Sequence, residues 1–295
     1  MRLRGRISVT DLAIIDLHCD TVSRALDKGY KQNDKRLAFQ PVSGFEQTQV
    51  FALFVDDKYR GEAAVRRAES LYRFYLSGFK SAKGFKALIS VENAAALGGT
   101  VENVKKWADR GCKMMTLTWN GENELSYGAS CDTGGLKPFG RQVIAEMEKY
   151  KIAVDLSHLN EKSFSAVLGT VCRPFVFSHS CCYSVAPHRR NVKDWQLKEL
   201  IACGGIIGLC FYPEFLGGDV FEKLYENIVH ILDLGGEKCI CLGSDFDGAK
   251  MDKKLSSTHD LISLYDYLYK RGLPKPLLQD IFYKNAENFF KGFYN

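Results

Sequence analysis

The sequence predicts a (β/α)8 barrel, and three observations predict it. Eight short apolar or β-branched runs recur along the 295 residues, amphipathic segments of helical spacing separate most of them, and six of the eight runs end in ring or carboxylate side chains. Parallel strands covered on both faces read as near-continuous apolar runs rather than as alternations. A doubly wound open sheet has the same order of elements. It is disfavoured because a barrel gathers its polar residues at the C-terminal ends of several different strands, around one mouth.

Taken in order, the first run is Leu12 to His18, leading into Cys19-Asp20. The second, Gln49 to Phe54, is followed by helical spacing over Glu62 to Ser77. The third, Ala87 to Glu92, ends on a carboxylate, and a helix is predicted over Thr100 to Arg110. The fourth, Lys113 to Trp119, leads into Asn120 and a helix over Phe139 to Lys151. The fifth and sixth, Ile152 to His158 and Pro174 to Ser180, flank a helix over Glu161 to Val171. Asp194 to Cys203 separates them from the seventh run, Gly205 to Phe211, and Val220 to Leu234 precedes the eighth, Cys239 to Asp245. Helices near Asp260 to Arg271 and Pro276 to Lys291 close the chain. Several of these segments stop at glycine, the residue that most readily takes the left-handed conformation ending a helix. With no Pro/Ser-rich linker, residues 1–295 read as one domain of barrel size, typically about 250 residues.

Composition excludes several classes. A chain that is 46% apolar and 25% charged has material for a core and is not a disordered segment. Its net charge of +5 is spread along the chain with no basic stripe, so no nucleic-acid partner is expected. No apolar stretch approaches the roughly 18–20 residues of a membrane span, so no membrane partner is expected. The basic start, Met1 to Arg6, looks like a signal n-region, but Asp11 and Asp16 interrupt the segment behind it, and it is read as a frayed terminus. Ten cysteines at irregular spacing, with no CxxC pair, fit a reducing cytoplasm and buried, inert thiols.

The run ends carry the chemistry. His18, His158 and His179 lie at three of them, Asp20 shares the end of His18, and Glu92 and Asp245 lie at two others, an N/O donor set suited to a hard or borderline metal. A lone histidine at a strand end is usually a hydrogen-bonded structural residue; three beside carboxylates at matching depth are harder to explain that way. In an extended chain His18 and Asp20 point to the same side and can share one ion. Glu92 follows the apolar Leu88-Ile89-Ser90-Val91, where an unpaired carboxylate is costly, and suits a bridge between ions. His158 and His179, on adjacent strands, complete a second ion, and paired ions about 3.5–4 Å apart commonly activate water. One of Arg189 and Arg190 suits a substrate carboxylate, against the alternative of a solvated loop pair. One carboxylate of Asp245-Phe246-Asp247 suits proton transfer, against an Asx-type turn. His188, His230 and His259 read as surface or packing residues.

These residues resemble the membrane dipeptidase, or renal dipeptidase, family of zinc metallopeptidases. Asp16-Leu17-His18-Cys19-Asp20 is similar to its first-strand signature. Gly135-Leu136-Lys137-Pro138-Phe139-Gly140, Asp155-Leu156-Ser157-His158, Phe177-Ser178-His179-Ser180, Arg189-Arg190-Asn191-Val192 and Gly243-Ser244-Asp245-Phe246-Asp247-Gly248 come in the family's order. The resemblance implies a (β/α)8 fold, commonly dimeric, with two Zn2+ per chain: one held by His18, Asp20 and Glu92, the other by Glu92, His158 and His179. It implies hydrolysis of small dipeptides by a hydroxide bridging the metals, with tolerance of a D-residue at the C-terminal position. Arg190 would grip the substrate carboxylate and Asp245 would serve the leaving amine. In one departure, Leu117-Thr118-Trp119 stands where many members have Leu-Thr-His. The missing His would steady the oxyanion, at a cost of roughly 3 kcal/mol if unreplaced; Trp119 then lines the substrate site, and Asn120 or Asn123 is expected to supply the donor. The alternatives are another binuclear amidohydrolase, disfavoured by His-x-Asp in place of His-x-His on the first strand, and a non-catalytic peptide-binding barrel that retains zinc.

Overall fold

Each of the eight runs forms a strand in the computed structural model, which describes residues 12–79 and 81–294; the basic segment Met1 to Arg6 lies outside them. The strands are β1 Ala13–Cys19, β2 Glu46–Phe54, β3 Phe85–Glu92, β4 Cys112–Thr116, β5 Ala153–Asp155, β6 Val176–Ser180, β7 Ile206–Leu209 and β8 Ile240–Leu242. All pair in parallel in chain order, and Asp16 of β1 opposite Leu242 of β8 closes the barrel. The helices α1 Thr21–Lys28, α2 Gly61–Gly78, α3 Asn103–Asp109, α4 Pro138–Lys149, α5 Glu161–Leu168, α6 Asp194–Cys203, α7 Pro213–Leu216, α8 Val220–Asp233, α9 Leu261–Lys270, α10 Lys275–Gln279 and α11 Asn285–Tyr294 surround it.

Two apolar layers hold this arrangement. Ile14, Phe51, Val91, Phe177 and Ile207 face outward onto helix residues such as Leu71, Val143, Phe164 and Leu224. Ile15, Leu17, Val50, Met114, Ala153, Val176, Ile206 and Cys241 come from seven strands of a closed barrel, so they meet inside it. Several of them open their strands, which puts this layer at the N-terminal end. There Ala286, Phe289 and Phe293 of α11 pack against it as a floor.

The strands end earlier than the apolar runs suggest. β5 stops at Asp155 and β8 at Leu242 because His158 and Asp245 have φ of 73° and 61°, in the left-handed region where a ladder cannot continue. β4 stops at Thr116, and the Leu117 carbonyl accepts the Asn123 side-chain amide. Helix α1, which periodicity does not announce, starts directly after Asp20 and stops at Gly29, φ 65°. The final predicted helix divides into α10, a π-helical stretch Asp280–Lys284, and α11.

Candidate functional site

The mouth of the barrel brings the predicted donors together. His18 Nε2 lies 3.4 Å from Asp20 Oδ2, 3.4 Å from Glu92 Oε2 and 3.9 Å from Asp245 Oδ1. The other Glu92 oxygen, Oε1, lies 2.9 Å from His158 Nε2 and 3.8 Å from His179 Nε2. The two Nε2 atoms are 2.8 Å apart. Glu92 therefore presents one oxygen to His18 and the other to the His158–His179 pair. The donor atoms of His18, Glu92 and His179 all lie within 4.8 Å of one another, and so do those of His18, Asp20 and Asp245.

The residues around these donors aim them. His158 Nδ1 pairs with Asn120 Oδ1 at 2.9 Å and His179 Nδ1 with Ser178 Oγ at 2.8 Å. When each outer nitrogen is the hydrogen-bonded one, the Nε2 lone pairs face inward, which is how ligand imidazoles are oriented. Asp16 takes the Ser244 hydroxyl at 2.6 Å and the Gln49 amide at 3.0 Å. Asp155 accepts from the backbone N–H groups of Ser157 and Ser178. These two buried acids of the motifs thus fix the end of β1, which carries His18, and the turn that carries His158. Gly248 has a steric reason, since a Cβ there would stand 2.4 Å from both Asp20 Oδ2 and Asp245 Oδ1. Of five described non-glycine residues with positive φ, His158, Asp245 and Asp247 lie in this mouth and Asn93 follows Glu92. Backbone strain of that kind collects at functional sites, at roughly 1–3 kcal/mol per residue.

Burial and mutual charge shape the electrostatics. Burial and then the Asp20 charge push the Asp245 carboxyl up to about 8. Burial and the Arg190 charge push His158 down to about 3, while burial and then the His18 and His158 rings push His179 well down. Burial alone would lower His18, but Glu92 and Asp20 outweigh it and hold the ring well above its usual value. Burial would raise Glu92, but His18 and His158 hold it well below the carboxylate range. His18 Nε2 and Asp20 Oδ1 are buried without a hydrogen-bond partner. Buried charge at this density is unfavourable unless it is compensated. Cations set among these oxygens and inward lone pairs would compensate it, so the residues fit a metal centre.

The flanking residues divide. Arg190 is 7% exposed, with Nη2 3.4 Å from the His179 carbonyl, its guanidinium 5.3 Å from the Phe215 ring centroid and a buried, unpartnered Nε. Arg189 is exposed near Asp132. Arg190 lines a cavity of about 580 Å³ together with Asp20, Glu92, His158, His179, Asp245, Trp119, Asn120, Phe54, Tyr212 and Phe215. Trp119 packs edge-on against Phe54, ring centroids 5.0 Å apart. Asp247 is occupied structurally, accepting from Thr21 Oγ1 at 2.6 Å and from the Ala38 N–H at 3.0 Å, with Arg24 at 3.4 Å. His230 pairs with Asp194.

One expectation needs correction. Asn123 is buried and bonded to Asn93, Leu117, Leu125 and Ser126, so it has no capacity left to replace the missing His. Asn120 spends its carbonyl on His158, so its first role is to orient that ring; only its amide NH2 remains for a substrate. Sequence reasoning missed Ser178, although it precedes His179, because a hydroxyl beside a ligand histidine has no signal of its own. It missed Tyr212 and Phe215 because they lie in the α7 turn, which has no helical periodicity.

The family model described as membrane dipeptidase (peptidase family M19) matches residues 75–292. An uncharacterized dipeptidase of Schizosaccharomyces pombe is 30% identical over 189 residues, 61% of this chain and 45% of that protein. Dipeptidase tcpJ of Claviceps purpurea is 34% identical over 189 residues, 62% of this chain and 43% of that protein. The chain thus matches under half the length of these two curated relatives. A metallo peptidase from Rhodobacter sphaeroides, crystallised with a phosphinate mimic of the dipeptide L-Ala-D-Ala, shares the fold with a TM-score of 0.87 at 23% identity, over 95% of this chain and 99% of that one.

Proposed function

Because the chain belongs to the membrane dipeptidase family, we propose that it is a two-metal dipeptidase that cleaves the peptide bond of dipeptides. The observation that carries this reading is the division of Glu92, one oxygen toward His18 and the other toward His158 and His179. One ion would be held by His18, Asp20 and Glu92, and the other by Glu92, His158 and His179; zinc suits such N/O sets. When bound, the pair supplies a water acidified toward a pKa of about 7 and a Lewis acid for the carbonyl oxygen.

The chain's own residues do the rest. Arg190 pairs with the C-terminal carboxylate and so sets where the scissile amide lies relative to Glu92. Trp119 and Phe54 wall the cavity and exclude water. Asp245, raised to about 8, carries a proton near neutral pH. It gives that proton to the amide nitrogen as the C–N bond breaks and takes back the one released when water oxygen adds to the carbonyl carbon, so that two amino acids leave. The Asn120 amide NH2 is the donor nearest in kind to the missing His. We extend to this chain the tolerance of a C-terminal D-residue that the ligand of the Rhodobacter protein suggests. We also assign it to a reducing compartment such as the cytoplasm, since all ten thiols are unpaired.

Turnover of Ala-Ala with L- or D-Ala at the C-terminus, beside the C-terminal amides, tests the reading. Zinc-loaded protein should cut the acids and spare the amides, and Arg190→Lys should lower kcat/KM about 10- to 100-fold because the fork geometry is lost while the charge stays. Equal rates on acids and amides would remove Arg190 from the site. Trp119 in the place of a donor favours a second reading, a barrel that retains zinc and binds peptides without turnover; tight dipeptide binding with no products would establish it.

A further inference from the structure

We propose that Cys210 is a positioning residue whose thiol holds the proton-carrying carboxylate of Asp245 in its working orientation; this rests on the role of Asp245 given above. Cys210 follows β7 and is fully buried, and its Sγ lies 3.7 Å from Asp245 Oδ2, within donor reach for sulfur. The other oxygen, Oδ1, faces His18 Nε2 and the space kept open by Gly248. The two oxygens therefore have separate surroundings: Oδ2 is tethered and Oδ1 is turned to the reacting atoms.

The fold brings the pair together. β7 and β8 run in register, Gly208 opposite Cys241 and Leu209 opposite Leu242. A Cβ on Gly208 would stand 2.1 Å from the Ser178 carbonyl oxygen and 2.8 Å from the Gly243 Cα, so the backbones of β6, β7 and the residue after β8 are in contact there. Cys210 and Asp245 each lie two residues beyond these contacting glycines. The Cys210 N–H bonds the Ser180 carbonyl, and its own carbonyl accepts from the Cys181 thiol, which fixes the direction of its side chain. Burial, then the neighbouring Asp245, pushes the thiol well above its usual range, so it stays an S–H donor.

Asp245 needs such a tether because it sits at φ 61°, on a turn rather than in a strand, with Oδ1 turned toward His18. A carboxylate free to rotate would present either oxygen to the leaving nitrogen and lose alignment. A small buried donor that does not ionise holds it without adding a second charge.

The test compares Cys210→Val, which keeps volume and removes the donor, with Cys210→Ser, which keeps a donor, and with Asp245→Asn, all zinc-loaded and checked for metal content and Tm. Expected is a 5- to 20-fold fall in kcat at unchanged KM for Cys210→Val, and kcat within about threefold of the parent for Cys210→Ser. Infrared spectroscopy supplies a readout independent of turnover. The S–H stretch isolated by subtracting Cys210→Val should lie below that of exposed Cys172 and should shift in Asp245→Asn. Full kcat in Cys210→Val, or an S–H band indifferent to Asp245→Asn, would overturn the proposal while leaving the dipeptidase reading intact. Full turnover in Asp245→Asn would overturn both the proton role and the tether. Equal losses in the Val and Ser variants, tracking Tm, would reduce Cys210 to packing.

Discussion

The two ends of the barrel use the same strands in opposite ways. At the floor, Ile15, Leu17, Val50, Met114, Val176 and Ile206 meet Phe289 and Phe293 of α11, and burial there stabilises the fold by removing apolar area from water. At the mouth, β1, β3 and β6 deliver His18, Glu92 and His179, with Asp20, His158 and Asp245 just past the ends of β1, β5 and β8. Burial there is a cost, carried by strained backbone and unpartnered donors. The barrel is thus held from below so that charge can be concentrated above, and stability and chemistry should respond separately to substitutions at its two ends.

The largest expected effect is at Glu92. Glu92→Gln removes the group shared between the two donor sets, so bound metal should fall from two per chain to one or none. Turnover should fall by roughly 10⁴-fold or more, because the water reverts from a pKa near 7 toward 15.7. Elemental analysis beside dipeptide hydrolysis checks both. Next come the paired acids after β8. Asp245→Asn should keep both metals and lose roughly 10²- to 10⁴-fold in kcat. Asp247→Asn should instead loosen the contacts to Thr21 and Ala38, lowering Tm with kcat within about threefold; a reversed pattern would exchange their roles.

At the floor, Phe289→Ala should cost about 3 kcal/mol in urea unfolding through the cavity it leaves, with metal content and kcat unchanged. A loss of metal there would break the separation of the two ends.

The smallest effect is in the pH dependence of the metal-free protein. Asp245, raised to about 8 from 3.8, contributes stability that is complete at low pH and is lost as pH rises through 8. His18, also raised, acts in the same direction. His158, lowered to about 3 from 6.5, contributes stability present above 6.5 and lost as pH falls toward 3. Between pH 6.5 and 8 the first kind dominates, so stability should fall with rising pH by up to about 1.4 kcal/mol per unit for each proton. Chelator-treated protein unfolded in urea at several pH values checks this, and Asp245→Asn should flatten the slope.

The floor and the walls were the legible part of the sequence, because runs such as Leu88-Ile89-Ser90-Val91 state their burial outright. The donor residues were legible too, since His18, Glu92 and His179 close apolar runs where a polar residue stands out. The ends of β5 and β8 were not, because left-handed His158 and Asp245 carry no glycine to announce the turn. Helix α1 was hidden because it follows Asp20, which makes no side-chain cap, and is only eight residues long. Asn120 and Asn123, equivalent as letters, are separated by contacts made far along the chain: one meets His158 of the β5 loop, the other Asn93 of the β3 loop.

Whether a metal pair bridged by Glu92 hydrolyses dipeptides is decided by titrating chelator-stripped protein with Zn2+ while following L-Ala-D-Ala hydrolysis. Turnover should be absent without metal and should rise until it levels off at two equivalents per chain, a rise that Glu92→Gln abolishes. Full activity in the stripped protein, or a plateau at one equivalent that survives Glu92→Gln, would contradict it.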